Sequence, residues 1–365
     1  MLGKKGKFII PILTGILAIS LVGCGTQAPN TAQTTPSATP AQPVTITGAG
    51  SSFDYPLFSA MFDQYHTKFS NITVNYQSVG SGAGIQQLSD QTIDFGASDA
   101  IMTDDQAAKA KGGKILHIPI TLGAVAITYN VPGAPNNLKI SPDVLTGIYL
   151  GKITKWNDPR ITADNPGVNL PDLKINVAYR SDGSGTSYIF TNYLSAVNAD
   201  WKSQIGSGTS VKWPVGIGGK GSEGVTGVVS QQPGSIGYVE LAYAVQNKLN
   251  VALMKNKAGK WVAPSVEGAS AAAAKAVVPD DMKVVIVNAD GDASYPISGF
   301  SWVLVYQQQA DKTKGTELLK LIDWMLKDGQ QYGTSLQYAP LPSNLASREE
   351  ALLKTVTYQG QPLLK

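Results

Sequence analysis

The alternation of strand-like and helix-like segments along residues 44–365 most narrows the folds that this chain can adopt. Short apolar runs at 44–47, 72–76 and 93–97 predict strands, whereas helical spacing predicts helices over 56–69 and from about residue 85. This β-α-β-α-β order favours an α/β fold with a parallel sheet. Because about 320 residues exceed a typical single core, we expect two lobes.

The rest of the body continues in the same style, without an internal repeat. Apolar runs predict strands over 115–120, 124–129, 175–179, 235–239 and 299–306. Periodic apolar residues or high alanine content predict helices over 144–150, 186–197, 266–278 and 316–327. Thr103 and Gln106 have the spacing of a capping box, which predicts that a further helix starts at these residues.

Three turns rich in Gly and Ser or Thr follow predicted strands and lead into helices, at residues 48–53, 80–84 and 180–187. Glycine lets backbone N–H groups approach a ligand, hydroxyls add donors, and a helix N-terminus attracts negative charge. Ligands of open α/β sheets bind beyond the carboxyl ends of the strands, where such turns lie. One such turn is commonly only a capped helix start. Three of them together predict an anion-binding site.

Two charged residues refine this prediction. Arg180 opens the third turn, and its planar guanidinium suits an oxyanion, although it can also pair with Asp182. Asp99 comes directly after Ser98, which follows the strand predicted at 93–97. A carboxylate accepts a hydrogen bond from a protonated guest such as phosphate and disfavours an unprotonated one such as sulfate. On the residues alone, Asp99 as a helix N-cap or surface acid remains an alternative, and phosphate is not separated from other oxyanions.

The N-terminal region predicts export and a lipid anchor. Three lysines precede a short apolar run, so residues 1–23 are expected to be a signal peptide. Cys24, the only cysteine of the chain, ends a sequence that resembles the bacterial lipobox and is the expected lipidation site. Residues 24–43, with the lipidated cysteine, lack charged and aromatic side chains and are expected to be a disordered tether.

Charge and composition exclude several classes of protein. The chain has 29 Lys and Arg against 26 Asp and Glu, and loss of the three signal lysines leaves 26 against 26. A neutral body does not predict a nucleic-acid partner. No cluster has metal-ligand spacing, so no metal or cofactor is expected. His66 and His117 are distant in sequence from the serines of the turns, and no Gly-x-Ser-x-Gly motif is present, which argues against a phosphatase or serine hydrolase.

The turns and the segment 94–99, Asp-Phe-Gly-Ala-Ser-Asp, resemble the phosphate-binding receptor of the bacterial phosphate-specific ABC transporter. The run Asp-Gly-Ser-Gly-Thr-Ser at 182–187 is the most specific part of this resemblance, which covers nearly all of residues 45–365. The resemblance implies a phosphate site with Asp182 and Gly183 in supporting roles. The residues that it implies as direct ligands are Ser51, Ser52, Phe53, Ser81, Asp99, Arg180, Ser184, Gly185 and Thr186.

The resemblance also implies the architecture and the partners. It implies a two-lobed, type II periplasmic-binding-protein fold, with lobe I at 44–128 plus 297–365, lobe II at 129–296, and two crossings between them. Inorganic phosphate would bridge the lobes, and the permease subunits of an ABC importer would receive it from a monomer anchored outside the cytoplasmic membrane. A receptor for sulfate or molybdate, a phosphatase-type enzyme and a surface adhesin are the alternatives.

Overall fold

A computed structural model describes residues 42–364 of the chain. The predicted signal peptide 1–23, Cys24 and all but the last two residues of the tether 24–43 lie outside these residues. Within residues 42–364, no helix combines the length and apolar character that crossing a membrane requires.

The strands of the body are named here in chain order. They are β1 Val44–Gly50, β2 Ile72–Ser78, β3 Phe95–Ser98, β4 Ile115–Asn130, β5 Lys139–Ile140, β6 Asn176–Arg180, β7 Ile217–Gly219, β8 Ser235–Glu240, β9 Asn250–Val251, β10 Leu253–Lys255, β11 Trp261–Val262, β12 Ser298–Tyr306, β13 Thr357–Tyr358 and β14 Gln361–Pro362.

Helices separate most of these strands. They are α1 Tyr55–Lys68, α2 Ser81–Ser89, α3 Asp104–Ala108, α4 Pro142–Tyr149, α5 Pro159–Asp164, α6 Gly185–Val197, α7 Ala199–Gln204, α8 Gly221–Gln231, α9 Leu241–Gln246, α10 Val266–Ala273, α11 Lys312–Leu326 and α12 Ala346–Lys354, with 3₁₀ turns at Asp328–Tyr332, Thr334–Leu336 and Ser343–Leu345. The capping box of Thr103 and Gln106 is present at the start of α3, as predicted.

The main sheet is mixed and has the order β2-β1-β3-β12-β4-β8-β6-β7, with β9 also paired to β4. The predicted parallel arrangement is confirmed at one side, where β1 pairs in parallel with β2 and β3. It also holds at the other side, where β6 pairs in parallel with β8 and β7. Between them, β12 and β4 run antiparallel to their neighbours. Both groups of parallel strands therefore present carboxyl ends that can face a common site.

The prediction of two strands at 115–120 and 124–129 was wrong, because β4 is one strand of 16 residues. Pro119 and Gly123 lie inside it without breaking it. The register shifts next to Pro119, because Ser301 of β12 pairs with Thr121 and Trp302 pairs with Pro119, which leaves Ile120 of β4 as the extra residue of a bulge. Bulges accommodate a proline, which cannot donate to the ladder. The partner of β4 changes from β12, up to Ala124, to β8, from Val125.

Close backbone contacts at the end of β1 shape the first turn. The strand β1 continues through Gly50, beyond the predicted 44–47, because small residues there pair with Phe95–Ala97 of β3. Gly50 has φ of 146°, and a Cβ atom there would collide with the carbonyl of Ala97. A Cβ atom at Gly84 of α2 would lie 2.5 Å from the Cα of Gly50. Glycine thus allows α2 to pack directly against the strand end.

An aromatic cluster fixes the end of β6 from the other side. Phe190 of α6 stacks on Tyr238 of β8 with ring centroids 4.3 Å apart, and Trp213 stacks on Tyr238 at 5.8 Å. The Tyr238 hydroxyl accepts a hydrogen bond from the Arg180 N–H at 3.0 Å and lies 2.6 Å from the Ser187 hydroxyl. Packing in the core therefore determines where the turn between β6 and α6 lies.

Candidate functional site

Arg180, at the end of β6, is buried and held by a bidentate ion pair. Its Nε donates to Asp182 Oδ1 at 2.8 Å and its Nη2 donates to Asp182 Oδ2 at 2.5 Å. Burial alone would raise the pKa of Asp182, but the hydrogen bonds and charge of Arg180 hold it below its usual value. Within residues 42–364, the Nη1 edge makes only long contacts, at 3.4 Å, with the hydroxyls of Thr186 and Ser222. That edge can therefore donate to a guest.

The third turn forms the N-terminus of α6. Ser184 is the N-cap, and its hydroxyl accepts from the Ser187 N–H at 3.0 Å. The first amides of the helix, at Gly185 and Thr186, have no partner within the helix because of its geometry. The Gly185 N–H contacts the Ser81 hydroxyl at 3.1 Å. The predicted residues of this turn thus present amides and a hydroxyl beside Arg180.

Ser81 lies in a helix and not in the loop that the sequence predicted. The helix α2 begins at Ser81, and not near residue 85, because Gly80 adopts φ of 91° as its N-cap and lets the helix start earlier. The Ser81 hydroxyl also lies 3.3 Å from the Asp99 N–H. The Gly82 N–H donates to the Gly183 carbonyl at 2.8 Å. The second and third turns are therefore in direct contact, through the Gly183 carbonyl.

Tyrosine side chains bind the carbonyl groups of the first turn. Hydroxyls of three tyrosines donate to three consecutive carbonyl oxygens: Tyr76 to Ser51 at 2.7 Å, Tyr243 to Ser52 at 2.8 Å and Tyr338 to Phe53 at 2.5 Å. The Phe53 N–H in turn donates to the Ser51 hydroxyl at 2.9 Å. Residues far apart in sequence thus fix the peptide planes of this turn, which the sequence pattern did not indicate.

Asp99 is buried at the centre of the site. Its Oδ1 accepts hydrogen bonds from the hydroxyls of Ser51 at 2.6 Å and Ser301 at 2.7 Å. Its Oδ2 has no hydrogen-bond partner within residues 42–364. Burial raises the pKa of Asp99 to about 6, although the two hydroxyls and the charge of Arg180 oppose the shift. A Cβ atom at Gly185 would collide with Oδ2, so this free acceptor faces the start of α6.

The structure therefore brings together all of the predicted site residues, from three turns and the end of β3. Ser222 was not predicted, although the Gly-Ser pair that starts α8 resembles the three turns in composition. Its hydroxyl lies 2.9 Å from that of Ser52, and its N–H donates to the Ser52 hydroxyl at 3.1 Å. Ser301 was also missed. Its position as a lone polar residue in the apolar run 299–306 could have indicated a functional role.

The two histidines contact backbone groups of residues that are not among the predicted site residues. His117 is buried, and its Nε2 accepts from the Met102 N–H at 3.2 Å. Burial lowers its pKa to about 3, so it is neutral at physiological pH. His66 contacts the Ile72 carbonyl through Nδ1 at 2.6 Å. Within the described residues, no group of three His, Cys, Asp or Glu side chains could hold a metal ion.

Comparisons with known proteins agree with this fold. A family model for the PBP superfamily domain matches residues 28–328. The solved structure of the high affinity periplasmic phosphate-binding protein PfluDING, bound with phosphate, aligns with a TM-score of 0.67 at 21% identity, covering 85% of this chain and 93% of that one. The structure of a DING protein aligns with a TM-score of 0.69 at 21% identity, covering 87% and 96%. The chain is thus an α/β protein of the periplasmic-binding-protein class with the type II fold, as predicted.

Curated relatives define the family more closely. The phosphate-binding protein PstS of Xylella fastidiosa is 43% identical over 346 residues, which is 92% of this chain and 94% of the relative. PstS of Pasteurella multocida is 46% identical over 318 residues, covering 86% and 91%. The chain belongs to the PstS family of phosphate-binding proteins.

Proposed function

We propose that this protein binds inorganic phosphate outside the cytoplasmic membrane and delivers it to the permease subunits of an ABC importer. The observation that carries this proposal is the buried, unpartnered Asp99 Oδ2 beside the donors of Arg180 and α6. The donors of Arg180 and α6 suit an oxyanion, and the free acceptor Asp99 Oδ2 suits an oxyanion that carries a proton. Phosphate near neutral pH meets both requirements. Membership of a family of binding proteins supports a receptor and not a phosphatase.

The ligand contacts that we propose follow from the donors and acceptors around this point. Asp99 accepts the proton of the guest. Arg180 donates from Nη1, Ser184 and Thr186 offer hydroxyls, and the amides of Gly185 and Thr186 complete the donors of α6. Ser51, Ser52, Phe53 and Ser81 would contribute hydroxyls and amides from the first two turns, with Asp182 and Gly183 supporting them. In the structure the Phe53 amide donates to Ser51 Oγ, and the Ser51 hydroxyl donates to Asp99 Oδ1, so contact of either donor with phosphate requires a local exchange of partners.

We propose that lobe I comprises 44–128 plus 297–365 and that lobe II comprises 129–296. The change of partner along β4, at Ala124 and Val125, lies a few residues before this boundary and supports a crossing there. Contacts between Ser81 and Gly185 and between Ser52 and Ser222 would join the lobes. Phosphate would favour this closed arrangement because it binds both sides of the cleft.

The location outside the membrane rests on the N-terminal sequence. We propose that residues 1–23 are removed, that Cys24 carries the lipid, and that 24–43 tethers a monomeric body near the membrane and its permease. Mass spectrometry of the membrane fraction from cells that express the full chain checks this. A mature N-terminus at unmodified residue 25 or later would contradict the anchor.

Calorimetry of the purified protein with phosphate, sulfate and arsenate tests the ligand. We expect tight phosphate binding, competition by arsenate because it also retains a proton, and little binding of sulfate. Sulfate binding as tight as that of phosphate would contradict the role of Asp99. Absence of phosphate binding would contradict the proposed function as a whole.

Replacing Gly185 with alanine is expected to weaken phosphate binding more than tenfold. The new Cβ atom would collide with Asp99 Oδ2 and lie 2.5 Å from the Ser81 hydroxyl, in the place where the guest must reach Asp99. Gly227→Ala in α8 is the matched control, because a Cβ atom there meets nothing within 4 Å. That control should leave phosphate affinity unchanged and stabilise the helix by roughly 0.5–1 kcal/mol. Equal phosphate affinities of the two variants would contradict the position assigned to Gly185.

A further inference from the structure

A single hydroxyl lies between two buried carboxyl groups behind the site. Ser301 Oγ is 2.5 Å from Asp54 Oδ2 and 2.7 Å from Asp99 Oδ1. Ser301 lies where the register of β12 against β4 shifts, opposite the bulge at Ile120 of β4. Asp54 occupies the N-cap position of α1, yet its carboxyl group makes no capping hydrogen bond and is directed to Ser301. The role of Asp54 is therefore not that of a helix cap.

Counting protons shows that one of these carboxyl groups is an acid and not a carboxylate. A serine hydroxyl has one proton and can donate only once. Asp99 Oδ1 already accepts from Ser51, so the second contact of Ser301 needs a proton that comes from a carboxyl group. Two carboxylates at these distances would also repel each other without any cation between them. One proton must reside on the chain that joins Asp54, Ser301 and Asp99.

The surroundings assign this proton to Asp54. Asp99 receives two hydroxyl hydrogen bonds and lies within the field of Arg180, and each of these stabilises its charged form. Asp54 has only the Ser301 contact, and its Oδ1 has no partner within residues 42–364. Burial and the charge of Asp99 both raise the pKa of Asp54 well above its usual value. The chain of donors then runs from the Asp54 O–H to Ser301 Oγ, and from the Ser301 O–H to Asp99 Oδ1.

We propose that Asp54 and Ser301 are positioning residues that hold Asp99 as an ionised acceptor, and that they set the pH range over which phosphate is selected over sulfate. This inference rests on the proposed function and deepens it. A neutral Asp54 adds no negative charge beneath an anion site, and the Ser301 proton keeps Asp99 from becoming a donor. If Asp99 took up the proton, it could donate to sulfate and selectivity would fall.

The pH response must include every titratable group that faces this pair. For Asp54 these are Asp99 from the end of β3, Glu240 from β8, Tyr76 from β2 and Tyr338 near the C-terminal helix. Arg180 from β6 also faces Asp99. Burial raises the pKa of Glu240 well above its usual value, and burial likewise raises those of both tyrosines. Near neutral pH the two tyrosines are therefore neutral, and burial favours the neutral form of Glu240, whereas the pKa of Asp99 lies at about 6.

The first test is carboxyl ¹³C NMR of the ligand-free, full-length protein between about pH 5 and 8. Asp54→Asn and Asp99→Asn variants assign the two resonances. We expect the Asp54 carboxyl to remain protonated at pH 7 and the Asp99 carboxyl to titrate near pH 6. An ionised Asp54 at pH 7 would overturn the proposal. This measurement needs no ligand, so it separates the proton chain from the proposed function, which fails only if phosphate itself does not bind.

The second test measures phosphate and sulfate dissociation constants over the same pH range. In the wild type, selectivity should decline as pH falls through about 6. Ser301→Ala removes a donor to Asp99, raises its affinity for a proton, and should move this midpoint upward by about one pH unit, a tenfold change in proton affinity. Ser298→Ala on the same strand is the control, because the Ser298 hydroxyl donates to the Tyr295 carbonyl and not to the acids. Equal midpoints for these two variants would overturn the role of Ser301.

The phosphate affinity of the Asp54→Asn variant shows whether Asp54 is neutral or charged in the wild type. An asparagine N–H can donate to Ser301 as the carboxylic acid does, so this conservative variant should keep phosphate affinity within about threefold and preserve the midpoint near pH 6. An ionised Asp54 would repel the guest, and its replacement would then tighten phosphate binding by tenfold or more. Tightening of that size would overturn the proposal.

Discussion

Replacing Arg180 with alanine is expected to weaken phosphate binding by at least roughly 1.5–3 kcal/mol, which is more than about tenfold. The guanidinium is buried, with its side chain 1% exposed, and its Nη1 edge has only long contacts at 3.4 Å that a guest can replace. Removal of the arginine also leaves Asp182 without its bidentate partner. Calorimetric titration with phosphate measures the loss of affinity, and an unchanged affinity would place Arg180 outside the binding site.

Arg160 provides a matched control on the protein surface. It pairs with Asp158 in the same way, with Nε to Oδ1 at 2.8 Å and Nη2 to Oδ2 at 2.8 Å, but its side chain is 53% exposed. Arg160→Ala should leave phosphate affinity unchanged and cost no more than about 1 kcal/mol of unfolding free energy. A buried pair that loses one partner costs up to about 3–5 kcal/mol. The contrast isolates the effect of burial.

A double variant separates the two effects of losing Arg180. Combining Arg180→Ala with Asp182→Ala removes the unpaired carboxylate as well as the cation, so part of the lost unfolding free energy should return. Phosphate affinity should remain low because the donor edge is still missing. Recovery of affinity in the double variant would show that the unpaired Asp182, and not the missing arginine, had repelled the ligand.

Replacing Asp99 with asparagine is expected to reduce the preference for phosphate over sulfate by at least about a hundredfold. The asparagine amide can donate to an unprotonated guest, whereas Asp99 Oδ2 offers only an acceptor. Sulfate should therefore bind better and phosphate should lose its specific contact. Titration of both anions at neutral pH checks this. Retained selectivity would show that Asp99 does not distinguish a protonated anion from an unprotonated one.

The same variant should stabilise the ligand-free protein. The pKa of Asp99 rises on folding to about 6, so the folded state holds its proton more tightly than the unfolded state. The resulting destabilisation is absent below about pH 4, develops between pH 4 and 6, and is complete above pH 6. At pH 7 we expect Asp99→Asn to gain roughly 2–3 kcal/mol of unfolding free energy.

Denaturant unfolding at several pH values measures this gain. The difference between the variant and the wild type should shrink as pH falls through 6 and disappear near 4. Asp63→Asn, on the exposed side of α1, is the control and should change the unfolding free energy by no more than about 0.5 kcal/mol. Equal free energies of unfolding for the wild type and Asp99→Asn at pH 7 would show that the buried carboxylate does not destabilise the folded state.

Local patterns predicted much of the fold because they depend on neighbours in the chain. The helix over 56–69 is α1, the capping box at Thr103 starts α3, and the run 299–306 lies in β12. Errors occurred where a distant partner overrode a local signal. Pairing with β12 and β8 carried β4 through Pro119 and Gly123.

The sequence was sufficient to predict the α/β class, the three glycine-rich turns and the place of Arg180 in the third turn, since each depends on residue types within a few positions. Its resemblance to a known family also singled out Asp99. The tertiary structure alone showed that Tyr76, Tyr243 and Tyr338 orient the first turn and that Ser222 joins the site. It alone showed that Ser301 links Asp99 to a second buried acid. These contacts join residues up to 285 positions apart. They arise when the strands of a mixed sheet bring distant segments together, and no local spacing records them.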